Sequence, residues 1–280
     1  MLNISDYFIR DDKTYVTQGI VLYVFDEART AQFVQDSLLP FRRAYLTDEK
    51  LDRIEAKKQN PRKEIINRRL PDPGDVMSGD FGEILTFYMA TQVWSSDVNY
   101  SPMKWQFKDD PKKASPKTDV VLFRFEKDIE HPDAKDRMIT YEAKAHATKV
   151  TGSYKIYKQK QAITYKDGKQ VCSFVDAVFD ADKDRASRAA ESIIYLKNKA
   201  EDIEDDELMA VLLRFEHSFT TPYQTEHNAV AIIESTDMVN QLSRLPSDLL
   251  TTFPGITLYC MPIKDMQSIY EQIYSQLETT

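Results

Sequence analysis

The 280-residue chain has only two cysteines, Cys172 and Cys260, each beside apolar neighbours in strand-like runs. That leaves no disulfide framework, and reduced core thiols in a cytoplasmic protein are expected. The four histidines, His131, His146, His217 and His227, do not group with either cysteine at zinc-ligand spacing. No Gly-x-Ser-x-Gly elbow occurs, which excludes one common hydrolase signature. Gly168-Lys169 lacks both the upstream glycine and the following Ser or Thr of a phosphate-binding loop, so P-loop nucleotide hydrolysis is not expected of this chain. No apolar run approaches the roughly 20 residues of a membrane helix. Residues 1–10 show no charged-then-apolar pattern, so neither a span nor a signal peptide is expected. Internal repeats and low-complexity segments are also missing.

Positive charge is the scarcer sign. Thirty-seven Lys and Arg stand against 45 Asp and Glu, for a formal net charge of −8 and a pI near 5.2. A free-standing, tight binder of nucleic acid is disfavoured, because phosphate contacts need Lys and Arg; a local basic track remains possible. The hydrophobic fraction of 42% and charged fraction of 29% are those of an ordinary globular protein. At this length about three quarters of the unfolded surface can be buried without staples.

The pattern of apolar residues predicts a strand over 15–25 and a helix over 27–39. A basic, polar stretch follows at 47–70, then the turn cluster Pro71-Asp72-Pro73-Gly74. That cluster divides an amino-terminal accessory region, 1–75, from a main domain, 76–280. Within the main domain a helix over 78–93 carries Phe81, Ile84, Leu85, Tyr88 and Met89 at helical spacing. Strands are predicted at 119–125, 138–147, 208–215, 228–234 and 256–262, and helices at 185–200 and 264–277. This order describes an α/β fold, a mixed sheet flanked by helices, and it requires a further strand near 98–108. The acidic run 201–207 is expected to be a solvated turn.

Three places carry chemistry. Glu83 is the only charged residue between Asp80 and Asp97. Asp119 opens the apolar run Val120-Val121-Leu122-Phe123. Glu142 and Lys144 lie two apart in a strand and share a face, about 7 Å apart along it. In that strand Tyr141, Ala143, Ala145 and Ala147 form a small apolar row fit to pack under a helix, while Thr140, Glu142, Lys144 and His146 form a polar row. On the strand alone two readings stand level: a functional row on a central strand, or an edge strand with a solvated face. Carboxylates and an ammonium at the open end of a sheet suit metal-assisted phosphodiester hydrolysis.

A helix Glu, then Asp, then Glu-x-Lys on adjacent strands resembles the PD-(D/E)XK nuclease superfamily, with its restriction-endonuclease-like fold. More narrowly, Gly79-Asp80-Phe81-Gly82-Glu83-Ile84-Leu85, Lys117-Thr118-Asp119-Val120-Val121 and Tyr141-Glu142-Ala143-Lys144-Ala145 resemble the HamA family of the Hachiman anti-phage system. Thr118 stands where the superfamily often has proline. The resemblance implies a DNA nuclease in which Asp119, Glu142 and the carbonyl of Ala143 hold Mg²⁺ or Mn²⁺. Glu83 would bind through water or hold a second metal, and Lys144 would position the attacking water. It also implies a helicase partner, HamB, forming a heterodimer on DNA, for which the surface around 47–75 is the expected docking region. The alternative is a catalytically inactive subunit that keeps the fold and regulates the helicase. The stretch 149–169, with Lys149, Lys155, Lys158 and Lys160 among interleaved tyrosines, reads either as a nucleic-acid track or as a solvated charged hairpin or loop.

Overall fold

The computed structural model describes residues 1–58, 60–94, 98–114, 117–147, 156–159, 162–165, 172–183, 189–203, 205–216 and 223–280, without the side chains of 58, 156–159, 162–165, 189 and 203. Its strands are β1 (Phe8–Asp11), β2 (Ile20–Phe25), β3 (Val120–Arg124), β4 (Arg137–His146), β5 (Ile156–Gln159), β6 (Ala162–Tyr165), β7 (Gln224–Glu234) and β8 (Ile256–Ile263). Among the described residues, six of them form one mixed sheet in the order β1-β2-β8-β7-β4-β3, and β5 and β6 form a separate antiparallel pair. The central pairs β2–β8, β8–β7 and β7–β4 are parallel, while β1–β2 and β3–β4 are antiparallel. Residues 229–233 of β7 and 258–263 of β8 are buried on both faces, as parallel strands covered by helices on both sides must be.

Helices α1 (Thr30–Tyr45), α2 (Asp48–Lys58), α3 (Arg62–Asn67) and α4 (Asp75–Val93) precede β3; α5 (Ser173–Lys183), α6 (Ala189–Ile203) and α7 (Asp206–Glu216) precede β7; α8 (Met238–Ser243), α9 (Leu249–Thr252) and α10 (Met266–Tyr274) complete the set. On one face α1, α4 and α10 share a core with Tyr141, Val230, Ile232 and Met261. On the other, α5 packs on Ala229, Ala231, Ile233 and Leu258, and α6 and α7 pack on Val121, Phe123 and Met138. Because α4 lies inside this arrangement it is apolar on most sides, and Phe81 through Ala90 are all buried. Gly82 lets it approach β4: a Cβ there would lie 2.6 Å from the Cβ of Ala145. No helix among the described residues is long and apolar enough to cross a membrane.

The strands predicted at 228–234 and 256–262 are β7 and β8, and the helix over 78–93 is α4, extended to Asp75. Several expectations are corrected. The stretch 98–108 supplies only an isolated bridge, Tyr100 to Phe123, then a 3-10 turn, Lys104–Phe107. The predicted strand 208–215 is helix α7. Leu208, Val211, Leu212 and Phe215 are spaced for one helical face, which packs on Ile193 and Leu196 of α6. Accordingly, the acidic run 201–207 lies largely in the end of α6 and the start of α7 rather than in a turn. Cys172 does not lie in a strand. It precedes α5, whose Phe174, Val175, Ala177, Val178 and Ala181 are buried; both cysteines are free and buried. Strand β1 was not anticipated. Together with β2 it extends the main sheet, so residues before the Pro71–Gly74 turn share that sheet and its core with the rest of the chain. α2 and α3 close over a small core of their own, around Leu46, Leu51, Ile65 and Ile66.

Candidate active site

Strand register creates the site. β3 starts with Val120 opposite Tyr141, and so β3 ends its pairing where β4 continues from Glu142 to His146 along β7. Among the described residues β4 is therefore paired on both edges over its first half and on one edge only over its second, so Glu142 to His146 lie on a locally open edge. Asp119, one residue before β3, takes over that open edge. Its Oδ2 accepts from the Ala143 amide at 2.9 Å, and its own amide lies 3.4 Å from Glu142 Oε1. A strand residue points its N–H and C=O to the same edge, so the carbonyl of Ala143 also faces the open side. Tyr141, Ala143, Ala145 and Ala147 pack toward α4, as their alternation predicted.

Glu83 reaches the same place from α4. Its Oε2 accepts from Trp105 Nε1 at 3.0 Å and lies 3.2 Å from Lys104 Nζ. Lys104 also lies 3.4 Å from Asp119 Oδ1 and donates to the Thr118 carbonyl at 3.0 Å. Lys144 turns the other way, to Asp180 of α5, with Nζ 2.7 Å from Oδ2; Lys183 holds the second oxygen of Asp180 at the same distance. The exposures of Glu83, Asp119 and Glu142 are 9%, 8% and 1%. All three, with Ala143, Lys144 and His146, line an open cleft of about 880 Å³.

Burial governs the protonation of these groups. It pushes the Glu83 carboxyl well above the usual carboxylate range, and nearby Asp119 and Asp80 add to the rise against the pull of Lys104. For Lys104 and Lys144 burial works against the charge, but the surrounding carboxylates outweigh it and both stay firmly protonated. The donor set fits a hard divalent cation. Asp119 and Glu142 are adjacent carboxylates, the carbonyl of Ala143 adds a third oxygen, and Mg²⁺ commonly takes one or two carboxylates and keeps several waters. Among the described residues no three His, Cys, Asp or Glu side chains form a ready-made metal cage. The third carboxylate, Glu83, is engaged by Lys104 and Trp105 instead.

Residues 4–277 match the HamA family model. The chain belongs to the HamA family. It is thereby associated with the Hachiman anti-phage defence system. No curated protein matches the chain.

Within this HamA chain the structure brings Glu83, Asp119, Glu142 and Ala143 to one cleft and sets Lys144 on its wall. Lys149, Lys155 and Lys160 lie outside the described residues. Lys158 lies in β5, and its side chain is outside the description. Sequence reasoning missed Lys104, Trp105 and Asp180. Local signals existed: Lys104-Trp105 is a charged residue joined to a large aromatic in a short turn, and Asp180 is a charge next to the buried Ala177, Val178 and Ala181 of α5.

Proposed function

We propose that this chain is a divalent-metal-dependent DNA nuclease with the restriction-endonuclease-like arrangement, acting as the effector subunit of a helicase–nuclease defence complex. The observation that supports this most directly is the register that sets Asp119 against Glu142 and Ala143 at the open edge of β4, with Lys144 two residues further on. Asp119, Glu142 and the Ala143 carbonyl would hold Mg²⁺ or Mn²⁺. The bound ion would supply Lewis-acid stabilisation of the phosphate and a lowered pKa for water. Lys144, kept cationic by the carboxylates around it and aimed by Asp180, orients the attacking water and offsets charge developing on the phosphate. Burial of Glu142 and Asp119 keeps bulk water from screening these interactions.

The partner would meet two needs. With a net charge of −8 the chain has weak intrinsic affinity for DNA, and an unrestrained nuclease would damage its own genome. A helicase that binds this chain, loads it on DNA and restrains it until DNA is engaged answers both. The docking surface lies on α2 and α3: their small core turns Leu51, Ile65 and Ile66 inward and leaves Arg53, Arg68 and Arg69 exposed. Co-expression with the neighbouring helicase and size-exclusion chromatography test the complex, and plasmid cleavage with Mg²⁺ tests the activity. A lone monomer beside that helicase, cutting freely without it, rejects the restrained-subunit reading and spares the nuclease.

A further inference from the structure

Lys104 occupies a place among carboxylates where a site for divalent cations would have room for an ion. Its Nζ lies 3.2 Å from Glu83 Oε2, 3.4 Å from Asp119 Oδ1 and 3.0 Å from the Thr118 carbonyl. An ammonium has three protons and accepts nothing, so these three oxygens account for its whole donor capacity. Its residue is 6% exposed.

The side chain is held from both flanks. Trp105 donates to the same Glu83 oxygen at 3.0 Å and packs edge-on against Phe87, with ring centroids 6.0 Å apart. On the other flank Lys108 binds both oxygens of Asp80, at 2.6 and 2.7 Å. Asp80 stands one helical turn before Glu83 on α4, so successive turns of one helix each hold a lysine from one short segment. Lys104 is thus built into the centre by Glu83 and Asp119, with Trp105 anchoring Glu83, and is no stray surface lysine.

We infer that Lys104 is a resident cation of the active centre, standing between Glu83 and Asp119 in the place of a second divalent ion. The chain then takes one divalent ion, on Asp119, Glu142 and the Ala143 carbonyl, and Glu83 is held by Lys104 and Trp105 in place of an ion. This rests on the reading of Asp119 and Glu142 as metal ligands. Carboxylate oxygens each have more than one lone pair, so Asp119 can face Lys104 through Oδ1 and still accept elsewhere. A second divalent ion at Glu83 would meet a fixed like charge at contact distance, at side chains only 7% and 11% exposed, where Coulomb repulsion is strong. Lys104 thereby sets both the number of ions bound and the affinity for the first.

Mn²⁺ titration of the full chain by calorimetry, with thermal unfolding alongside, tests this. Wild type is expected to bind one Mn²⁺. Lys104→Gln is expected to bind a second, or to bind the first at least about tenfold tighter (~1.4 kcal/mol). It should also melt lower without metal and gain more from Mn²⁺ than wild type does, a rescue that a purely structural lysine would not produce. Lys104→Arg keeps the charge and should bind one ion, as wild type does. Two ions in wild type overturn the inference even if Lys104→Gln fails to fold. So does a folded Lys104→Gln that binds the same number at the same affinity as wild type. An Asp119→Ala, Glu142→Ala double variant separates the two levels. Mn²⁺ uptake that survives in it removes the metal-site reading, and the inference with it; Mn²⁺ uptake lost in it, with Lys104→Gln unchanged from wild type, removes the inference alone.

Discussion

Lys144 Nζ and Asp180 Oδ2 lie 2.7 Å apart, so the lysine of the Glu-x-Lys motif is aimed by a carboxylate on α5. The two side chains are 23% and 22% exposed. Asp180 stays ionised below the usual range: burial opposes this, but Lys144 and Lys183 prevail. Asp180 acts through Lys144, so it is a positioning residue. Asp180→Asn should lower kcat by about 10–100-fold, the usual cost of removing such a support. Mn²⁺ affinity should be nearly unchanged. Calorimetry and steady-state cleavage, compared on one preparation, separate this from a general loss of structure, which would degrade both.

The close approach of α4 to β4 is a second point of strain if altered. A Cβ at Gly82 would sit 2.6 Å from Ala145 Cβ and 3.2 Å from Ile232 Cδ1. Gly82→Ala should destabilise by about 1–3 kcal/mol through overpacking. The double change Gly82→Ala, Ala145→Gly should recover part of that loss. Urea unfolding of the three proteins would show it; an equal loss in the double variant would mean the contact is not the cause.

Acid stability should depend on a pair far from the cleft. Arg214 of α7 binds Asp136 through two hydrogen bonds of 2.8 Å, and both side chains are almost fully buried. Burial alone would raise the Asp136 carboxyl, but Arg214 and two backbone amides hold it below its ordinary value of 3.8. A carboxyl depressed in the folded state contributes stability that is full above the unfolded value and is lost as pH falls through the folded one. Asp136→Asn should cost about 3–5 kcal/mol near neutral pH by leaving a buried arginine uncompensated. The deficit should shrink as pH drops below about 4. Denaturant melts across that range decide it, and a deficit constant with pH would contradict the assignment.

The metal requirement has its own signature. Cleavage should need Mg²⁺ or Mn²⁺ and stop in EDTA, while Ca²⁺ should bind without supporting turnover because its looser coordination misplaces the water. Activity that persists in chelator would show a different chemistry.

The core of the sheet was legible because β7 and β8 are short apolar runs bounded by turn residues, and α4 because its apolar spacing runs unbroken for several turns. β3 was legible as a short apolar run and β4 from alternation, which also assigned Tyr141, Ala143, Ala145 and Ala147 to the face under α4. α7 was read as a strand because Leu208 to Phe215 is so densely apolar that helical and extended periods both fit; its length and its packing on α6 favour the helix. Glu83 could be named from the sequence as a lone charge in an apolar helix, Asp119 as the charge that opens an apolar strand, and Glu142 by its shared face with Lys144. Lys104 and Asp180 show in the sequence only as charges in apolar surroundings; their partners lie on distant elements, and only the fold brings them together. The motif thus shows Glu83, Asp119, Glu142 and Lys144, and tertiary packing supplies Lys104 and Asp180 beside them.

Central to the account is that Glu142 is a ligand at a nuclease centre, and one comparison tests it most directly. Wild type and Glu142→Ala, each purified with the helicase partner and shown to be folded, are incubated with plasmid DNA and Mg²⁺. The account predicts cleavage by wild type and a loss of at least about 10²-fold in the variant, as expected when transition-state charge loses its main stabiliser. Undiminished cleavage by Glu142→Ala would contradict it.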